Sequence, residues 1–228
     1  MLTQKAKDKF NHWSTNWTET MEHFPTFYHF GSKCKRIVEF GVLRGVSTWA
    51  WVASDPDYLR AVDIINHNVE HKELEEECAA MGMDYKFVIG DVGHGALRKI
   101  ESTFNRVSYK PEETGVDPYV MDEGIELLYI DTYHSYTQCK AELTIHGDRV
   151  SKYILFHDTA DTAYGERHDY DGDKGLNFAI REFLAENPHW VYLHKIEYSY
   201  GMTVLGNTKN VTDVPNMDPN FRYPAVTL

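Results

Sequence analysis

The sequence predicts an α/β fold: a doubly wound, mostly parallel seven-stranded sheet with an antiparallel C-terminal strand and helices on both faces. Two observations carry this prediction. From Arg36 onward, five short apolar runs alternate with helical patterns, which is typical of parallel strands joined by crossover helices. Two more apolar runs follow with only a turn between them, which predicts an antiparallel pair that closes the sheet edge.

Each strand is predicted from a short, nearly continuous apolar run, because the strands of a parallel sheet are buried on both faces. The seven predicted strands cover residues 37–40, 59–62, 85–89, 125–130, 153–156, 190–194 and 202–205. The predicted helices lie near residues 45–54, 67–81, 94–107, 135–147 and 174–187. Together these segments account for the alternation along the chain.

Residues 1–35 are predicted to form an N-terminal helical extension, and residues 207–228 an irregular tail. The apolar residues of the extension recur at intervals of three or four: Phe10, Trp13, Trp17, Met21 and Phe24. That spacing predicts one helix over about the first two dozen residues, which Pro25 is expected to end. An apolar helix face favours docking on the domain or on another subunit, so a homo-oligomer formed through this helix is one expectation.

Composition and charge exclude several classes of protein. A chain of 228 residues that is 42% hydrophobic and 25% charged is expected to fold as one domain. The formal net charge of −12 repels phosphate backbones, so a nucleic-acid partner is not expected. Cys34, Cys78 and Cys139 show no paired spacing, which argues against disulfides and a structural zinc site. Without a secretory signal or a long apolar run, the expected location is the cytoplasm, with no membrane partner.

The first strand runs into a turn that contains Gly41 and Gly45, and glycines there bring the backbone and a helix N-terminus against a ligand. Asp63 ends the second strand 22 residues after Gly41, about where a carboxylate meets ribose hydroxyls in nucleoside-binding sheets. Asp91 ends the third strand. Acids at successive strand ends favour a nucleoside ligand, although either aspartate alone also fits a helix N-cap.

Through this turn, these acids and the terminal antiparallel pair, the chain resembles the class I S-adenosylmethionine-dependent methyltransferases. The resemblance covers approximately residues 36–206 and implies a Rossmann-like, S-adenosylmethionine-binding catalytic domain there. In many members of that family a third glycine stands in the middle of the turn, where this chain has Leu43.

The cofactor-binding residues that the resemblance implies are Glu39, Gly41, Gly45, Asp63 and Asp91. By the same resemblance, Gly41 and Gly45 border the methionine part of S-adenosylmethionine, and Glu39 sits beneath it. Asp63 holds the ribose and Asp91 lies beside the adenine. A dinucleotide-binding enzyme would more typically show three glycines, so that interpretation ranks lower.

A second group of polar residues follows the fourth and fifth strands, which are neighbours in the expected sheet order. Asp131, His157 and Asp158 are therefore expected side by side, and two carboxylates with an imidazole indicate a divalent-metal site. Oxygen-rich ligation suits magnesium or manganese, while the imidazole would also admit iron or zinc. The same residues would also fit helix caps or bonds to one another.

His134 is the candidate catalytic base, acting together with Asp131. The Asp131-x-x-His134 spacing fits a loop that turns the imidazole back over the site, where it could take a proton from a substrate hydroxyl. A metal that touches the same oxygen would favour its deprotonated form.

This segment looks like the metal-dependent O-methyltransferases that act on sugars and related natural-product hydroxyls, including family members named cephalosporin hydroxylases. The resemblance implies that Asp131 and Asp158 bind the metal, that His134 is the base, and that the partner is a small-molecule or sugar hydroxyl. Those enzymes tend to carry Glu-Asp where this chain has His157-Asp158.

Two other functions remain open from the residues alone. A non-haem iron oxygenase could use His134, His157 and one carboxylate, because two histidines and a carboxylate are the usual ligands of such iron. A catalytically inert nucleoside-binding or scaffold protein would fit the aromatic N-terminal segment. Residues 105–124 and 160–174 are long polar stretches that we interpret as lids over the site.

Overall fold

A computed structural model describes residues 1–16, 20–66, 71–94, 100–101, 108–109, 116–166 and 174–228. The strands are β1 Arg36–Phe40, β2 Tyr58–Asp63, β3 Asp84–Ile89, β4 Ile100–Glu101, β5 Ser108–Tyr109, β6 Ile125–Ile130, β7 Val150–His157, β8 Trp190–Ile196 and β9 Met202–Asn207. The helices are α1 Gln4–Thr15, α2 Phe24–Gly31, α3 Val46–Ala53, α4 His71–Met81, α5 Tyr136–His146 and α6 Leu176–Glu186. Short 3₁₀ turns cover Met21–His23 and Gly147–Arg149.

Seven strands form one sheet in the order β3-β2-β1-β6-β7-β9-β8. Neighbours pair in parallel from β3 through to β7, and β9 runs antiparallel to both β7 and β8. The predicted mostly parallel sheet with an antiparallel C-terminal strand is therefore confirmed. Because β1, β2, β3, β6 and β7 point the same way, their carboxyl ends meet at one edge.

Helices cover both faces of this sheet, and the alternation of side chains along β1 shows how. Ile37 packs into the cluster that contains Trp51 of α3, while the next residue, Val38, packs into the cluster that contains Leu143 of α5. Helices α1 to α4 contribute to the first cluster, and α5 and α6 to the second. Burial on both faces explains why the strands are continuous apolar runs in the sequence.

The N-terminal segment is two helices, and the prediction of one helix ended by Pro25 is wrong. Helix α1 ends at Thr15, and Pro25 lies in the first turn of α2. Proline is accepted there because the first-turn N–H groups have no partner within the helix. Phe10 of α1 and Phe24 of α2 are both fully buried, with ring centroids 5.3 Å apart, so the apolar face packs on the chain's own core.

The predicted helix near residues 94–107 falls mostly outside the described residues. Within it, Ile100–Glu101 is a strand that pairs antiparallel with Ser108–Tyr109, so the helix prediction is wrong at that pair. A pairing between separate segments leaves no mark on the periodicity of either one alone. Trp17 and residues 67–70 and 167–173 also lie outside the described part of the chain. Among the helices that are described, none has the length and apolar character to cross a membrane.

Candidate active site

The glycine turn between β1 and α3 passes directly against the loop that follows β6. Gly41 has a φ of +81°, and a Cβ placed on it would lie 1.9 Å from the Asp131 carbonyl oxygen. Only glycine tolerates that approach. Gly45 also has a positive φ, of 72°, and Leu43 adopts 48° although it is not glycine. A side-chain residue in this left-handed region costs about 1–2 kcal/mol, and such strain often accompanies a functional turn.

Asp63, at the end of β2, holds this turn from the side. Its Oδ2 accepts hydrogen bonds from the backbone N–H groups of Val42, at 2.8 Å, and Leu43, at 3.0 Å. The carboxylate therefore faces the glycine turn, where the expected nucleoside would lie. These bonds give Asp63 a structural task that sequence reasoning did not identify, because they depend on the strained path of the turn.

Glu39 lies beneath the turn and is completely buried. Its two carboxyl oxygens accept bonds from the Ser47 hydroxyl at 2.5 Å, the Thr48 hydroxyl at 2.6 Å and the Trp51 ring N–H at 3.3 Å. Burial raises the pKa of Glu39 to about 7, while those three donors act in the opposite direction. The carboxyl group thus ties β1 to α3 on the cofactor side.

Asp91 follows β3 and lies at the same sheet edge, only 8% exposed. Its Oδ1 accepts a bond from the Gly93 N–H at 3.0 Å, and its backbone pairs with Asp117 and Tyr119. A Cβ on Gly93 would lie 2.5 Å from Oε1 of Gln138, which brings helix α5 close to this strand end. The five predicted cofactor-binding residues therefore lie around the carboxyl ends of β1, β2 and β3.

A second cluster forms where β6 and β7 end, and it contains Asp131, His134, His157 and Asp158. Parallel pairing places Ile130 opposite Phe156, so the residues that follow them emerge together. His134 Nε2 lies 3.3 Å from Asp131 Oδ1 and 3.0 Å from Asp158 Oδ2. His157 Nδ1 lies 3.0 Å from the same Asp158 oxygen and 3.6 Å from Asp131 Oδ1.

The two carboxylates and two imidazoles of this cluster stabilise each other's charged forms. Burial alone would lower the pKa of His134, but Asp158 and Asp131 beside it raise that pKa to about 10. Burial opposes ionisation of Asp158 as well, yet His134 and His157 hold its pKa well below its usual range. The pKa of His157 is raised by the same two aspartates against its burial. The two aspartates therefore favour the protonated form of both rings.

The donor atoms fit a divalent cation. Asp131, His134 and Asp158 each offer one ligand atom, and these atoms lie within 4.8 Å of one another. His157 reaches the same carboxylates through Nδ1, while its Nε2 is buried with no hydrogen-bond partner among the described residues. The geometry thus groups His134 with the two aspartates, whereas the sequence assigned His157 to the metal and His134 to the proton. Both assignments stay predictions.

Sequence reasoning missed several residues that support this cluster. The Tyr129 hydroxyl donates to Asp131 Oδ2 at 3.0 Å. Glu142 of α5 is completely buried and accepts from the Thr132 hydroxyl at 2.7 Å. Burial raises the pKa of Glu142 to about 7. No local pattern marks these residues, since their roles arise from packing between separate elements.

Comparison with known proteins gives similarity in structure and none in sequence. No family model and no curated protein matches the chain. An O-methyltransferase from Bacillus cereus, solved in complex with SAH, superposes with a TM-score of 0.52 at 13% identity, covering 90% of this chain and 91% of that one. Cofactor-bound Rv0187 from MTB superposes with a TM-score of 0.56 at 12% identity, with the same coverage of 90% and 91%. The chain therefore has the Rossmann-like fold of the class I S-adenosylmethionine-dependent methyltransferases.

Proposed function

We propose that this chain transfers a methyl group from S-adenosylmethionine to a hydroxyl of a small molecule or sugar, assisted by a divalent metal, magnesium or manganese. The observation that carries the proposal is the meeting of two clusters at one sheet edge: Gly41, at the glycine turn, lies against the backbone of Asp131. A cofactor on the turn and an acceptor at Asp131 would then be neighbours, as methyl transfer requires. The fold shared with an SAH-bound O-methyltransferase supports this proposal.

The cofactor half suits an uncharged nucleoside with a methionine group. In this proposal the backbone around Gly41 and Gly45 receives the methionine part, and Glu39 fixes the turn from below. Asp63 and Asp91 provide acceptor oxygens for ribose hydroxyls and for the adenine amino group. The net charge of −12 agrees with a cofactor that carries no phosphate.

In the metal half, Asp131 and Asp158 would hold the cation, and His134 would lie beside it as the base. A bound cation would lower the pKa of an acceptor hydroxyl and stabilise its deprotonated form. Asp131 and Asp158 also keep a proton on His134, so their engagement in ligation would release it. His134 Nε2, now unprotonated, would then accept the proton of the acceptor hydroxyl.

Calorimetry with S-adenosylhomocysteine tests the cofactor half, and we expect saturable binding that the Asp63→Ala variant weakens. Radiolabelled S-adenosylmethionine, offered with a panel of monosaccharides and catechols, tests the transfer itself. Label should move to an acceptor when Mg²⁺ or Mn²⁺ is present and should stop moving when EDTA is added. Absence of any binding heat at millimolar protein would reject the proposal.

A second candidate is a non-haem iron oxygenase, favoured by one observation. Both His134 and His157 lie 3.0 Å from Asp158 Oδ2, so two imidazoles and a carboxylate meet at one oxygen. Oxygen uptake with ferrous iron, measured with and without reductant, tests this candidate. Uptake that stays at the protein-free rate would eliminate it.

A further inference from the structure

In the N-terminal segment, His23 contacts His157 of the cluster that contains Asp131, His134 and Asp158. It is the last residue of the 3₁₀ turn before α2 and is fully buried. Its ring stacks on Tyr198, with centroids 5.3 Å apart and planes 17° apart. It also meets the His157 ring edge to face, with centroids 5.2 Å apart and planes at 80°. His23 and His157 are 134 positions apart in the chain, so only folding brings them together.

Hydrogen bonding determines which nitrogen of His23 carries the proton. Nε2 lies 3.0 Å from the carbonyl oxygen of Ser199, and a carbonyl oxygen can only accept, so Nε2 is the donor. The ring is completely buried, which favours its neutral form. Nδ1 is then an acceptor, and within the described residues it has no hydrogen-bond partner.

The same reasoning applies to His157. Its Nδ1 faces Asp158 Oδ2 at 3.0 Å, and the carboxylate is the acceptor, so Nδ1 is the donor. Its Nε2 is buried, and the described part of the chain offers it no partner. Two unsatisfied ring nitrogens on adjoining buried rings are unusual, because buried polar atoms are nearly always hydrogen-bonded to protein or to an ordered water.

We propose that one buried water joins His23 Nδ1 to His157 Nε2, and that His23 is thereby a positioning residue that holds the His157 ring against Asp131 and Asp158. The water donates one hydrogen to His23 Nδ1. Toward His157 it donates its second hydrogen if Nε2 is bare, or accepts if Nε2 is protonated. The bridge is satisfied in either protonation state of His157.

The partner of His23 on its other side is itself held in place. Ser199 has a φ of 48°, and Tyr200 and Gly201 after it have 64° and 88°, so three successive residues are left-handed. The Ser199 hydroxyl donates to Glu22, which also pairs with Arg222 at 2.7 Å. The Ser199 residue that receives the Nε2–H of His23 is therefore held by its own bond to Glu22, and it orients the His23 ring.

The consequence for the cluster follows from the shared carboxylates. With the bridge in place, both ring nitrogens of His157 are hydrogen-bonded, Nδ1 to Asp158 and Nε2 to the water. Without the water, only the Nδ1–H bond to Asp158 orients the His157 ring. Removal of partners that orient ligands of a metal site typically weakens metal affinity by about 10- to 100-fold. This effect on metal binding rests on the proposed function, whereas the bridge itself does not.

Three variants test the inference. His23→Phe fills the volume and removes both nitrogens, while His23→Gln keeps a donor for Ser199 and an acceptor for the water. His194→Phe is the matched control, because His194 is also a buried histidine whose Nδ1 has no hydrogen-bond partner among the described residues. Its Nε2 lies 2.6 Å from the Tyr223 hydroxyl, away from the cluster. The readouts are ¹⁵N-histidine NMR, including contacts from water to the His23 and His157 ring protons, and Mn²⁺ affinity by electron paramagnetic resonance.

We expect a long-lived water contact to both rings in the parent protein and in His23→Gln. In His23→Phe the contact should disappear, the His157 ring signals should shift, and Mn²⁺ affinity should fall about tenfold or more. His194→Phe should match the parent.

Absence of the water contact in the parent, unchanged His157 signals in a folded His23→Phe, or His157 signals of His23→Gln that match those of His23→Phe would overturn the inference. If His23→Phe does not fold, the water contacts measured in the parent protein and in His23→Gln still test the inference. If the parent protein binds no Mn²⁺, the result counts against the metal in the proposed function. The NMR signals of His23 and His157 still test the water bridge in that case.

Discussion

The two halves of the candidate site differ in the groups that donate hydrogen bonds to their acids. In the half at the glycine turn, called here the neutral half, Glu39 and Asp63 receive hydrogen bonds from hydroxyl, indole and backbone N–H groups. In the half where β6 and β7 end, called here the charged half, Asp131 and Asp158 receive hydrogen bonds mainly from the imidazoles of His134 and His157. Hydroxyl, indole and backbone N–H groups keep their protons at neutral pH, whereas a protonated imidazole can release one. In the proposed function, a cation would replace protons of the charged half.

The largest expected effect comes from breaking the charged half. Asp158→Ala leaves the buried His157 and the partly exposed His134 with one carboxylate between them. Loss of one partner of a buried ion pair costs about 3–5 kcal/mol. We expect the free energy of unfolding to fall by that amount and Mn²⁺ binding to disappear. Urea unfolding and electron paramagnetic resonance measure the two effects. S-adenosylhomocysteine binding by the folded fraction should persist, and its loss would show that the two halves are not separable.

The neutral half is broken by Glu39→Ala, which leaves three buried donors without an acceptor. Each unsatisfied buried group costs about 1–3 kcal/mol, and partial relaxation should bring the total loss of stability to roughly 3 kcal/mol. Thermal and urea unfolding test this. Mn²⁺ affinity should stay near that of the parent protein.

Glu39→Gln, which is similar in shape but does not titrate, sharpens the same test through pH. Burial raises the folded pKa of Glu39 from 4.5 to about 7, so the stability contributed by its protonated form is complete below pH 4.5 and lost as pH rises through 7. The stability of the parent relative to Glu39→Gln should therefore decrease between those values. A difference that does not vary with pH would contradict this prediction.

Proton exchange in the charged half predicts that Mn²⁺ binding strengthens as pH rises. The aspartates raise the pKa of His134 to about 10. At pH 6.5 to 8, a cation that binds the aspartates should therefore release the proton of His134. Affinity should rise about tenfold per pH unit for each proton released. Calorimetry in two buffers of different ionisation enthalpy counts those protons. The slope should be smaller in His134→Asn, and an equal slope would assign the proton to another group.

The smallest effect is expected at the edge of the neutral half, in Leu43→Gly. Leu43 holds a φ of 48° and is 56% exposed, so glycine relieves strain while little burial is lost. The relief of about 1–2 kcal/mol is partly offset by the greater freedom of glycine in the unfolded chain. A net gain in stability of up to about 1 kcal/mol is expected from urea unfolding, and Leu43→Asn should show a smaller gain. A clear loss of stability in Leu43→Gly would show that the side chain makes contacts that matter.

Much of the fold was readable from local sequence. Strands β1, β6 and β7 lie where continuous apolar runs predicted them, because burial on both faces requires such runs. Gly41 was also recognisable, since its positive φ and its approach to the Asp131 carbonyl exclude a side chain. Pro25 was misread because the same residue can stop one helix or begin another.

The sequence by itself determined which residues stand at the strand ends, and therefore which acids and histidines meet at one edge, because parallel strands align their carboxyl ends. Only the tertiary structure decided how they pair: that Asp63 holds the turn, that His134 shares both aspartates, and that His23 lies against His157. Those pairings join segments far apart in the chain. They are set by the packing of whole elements, which no local period or spacing records.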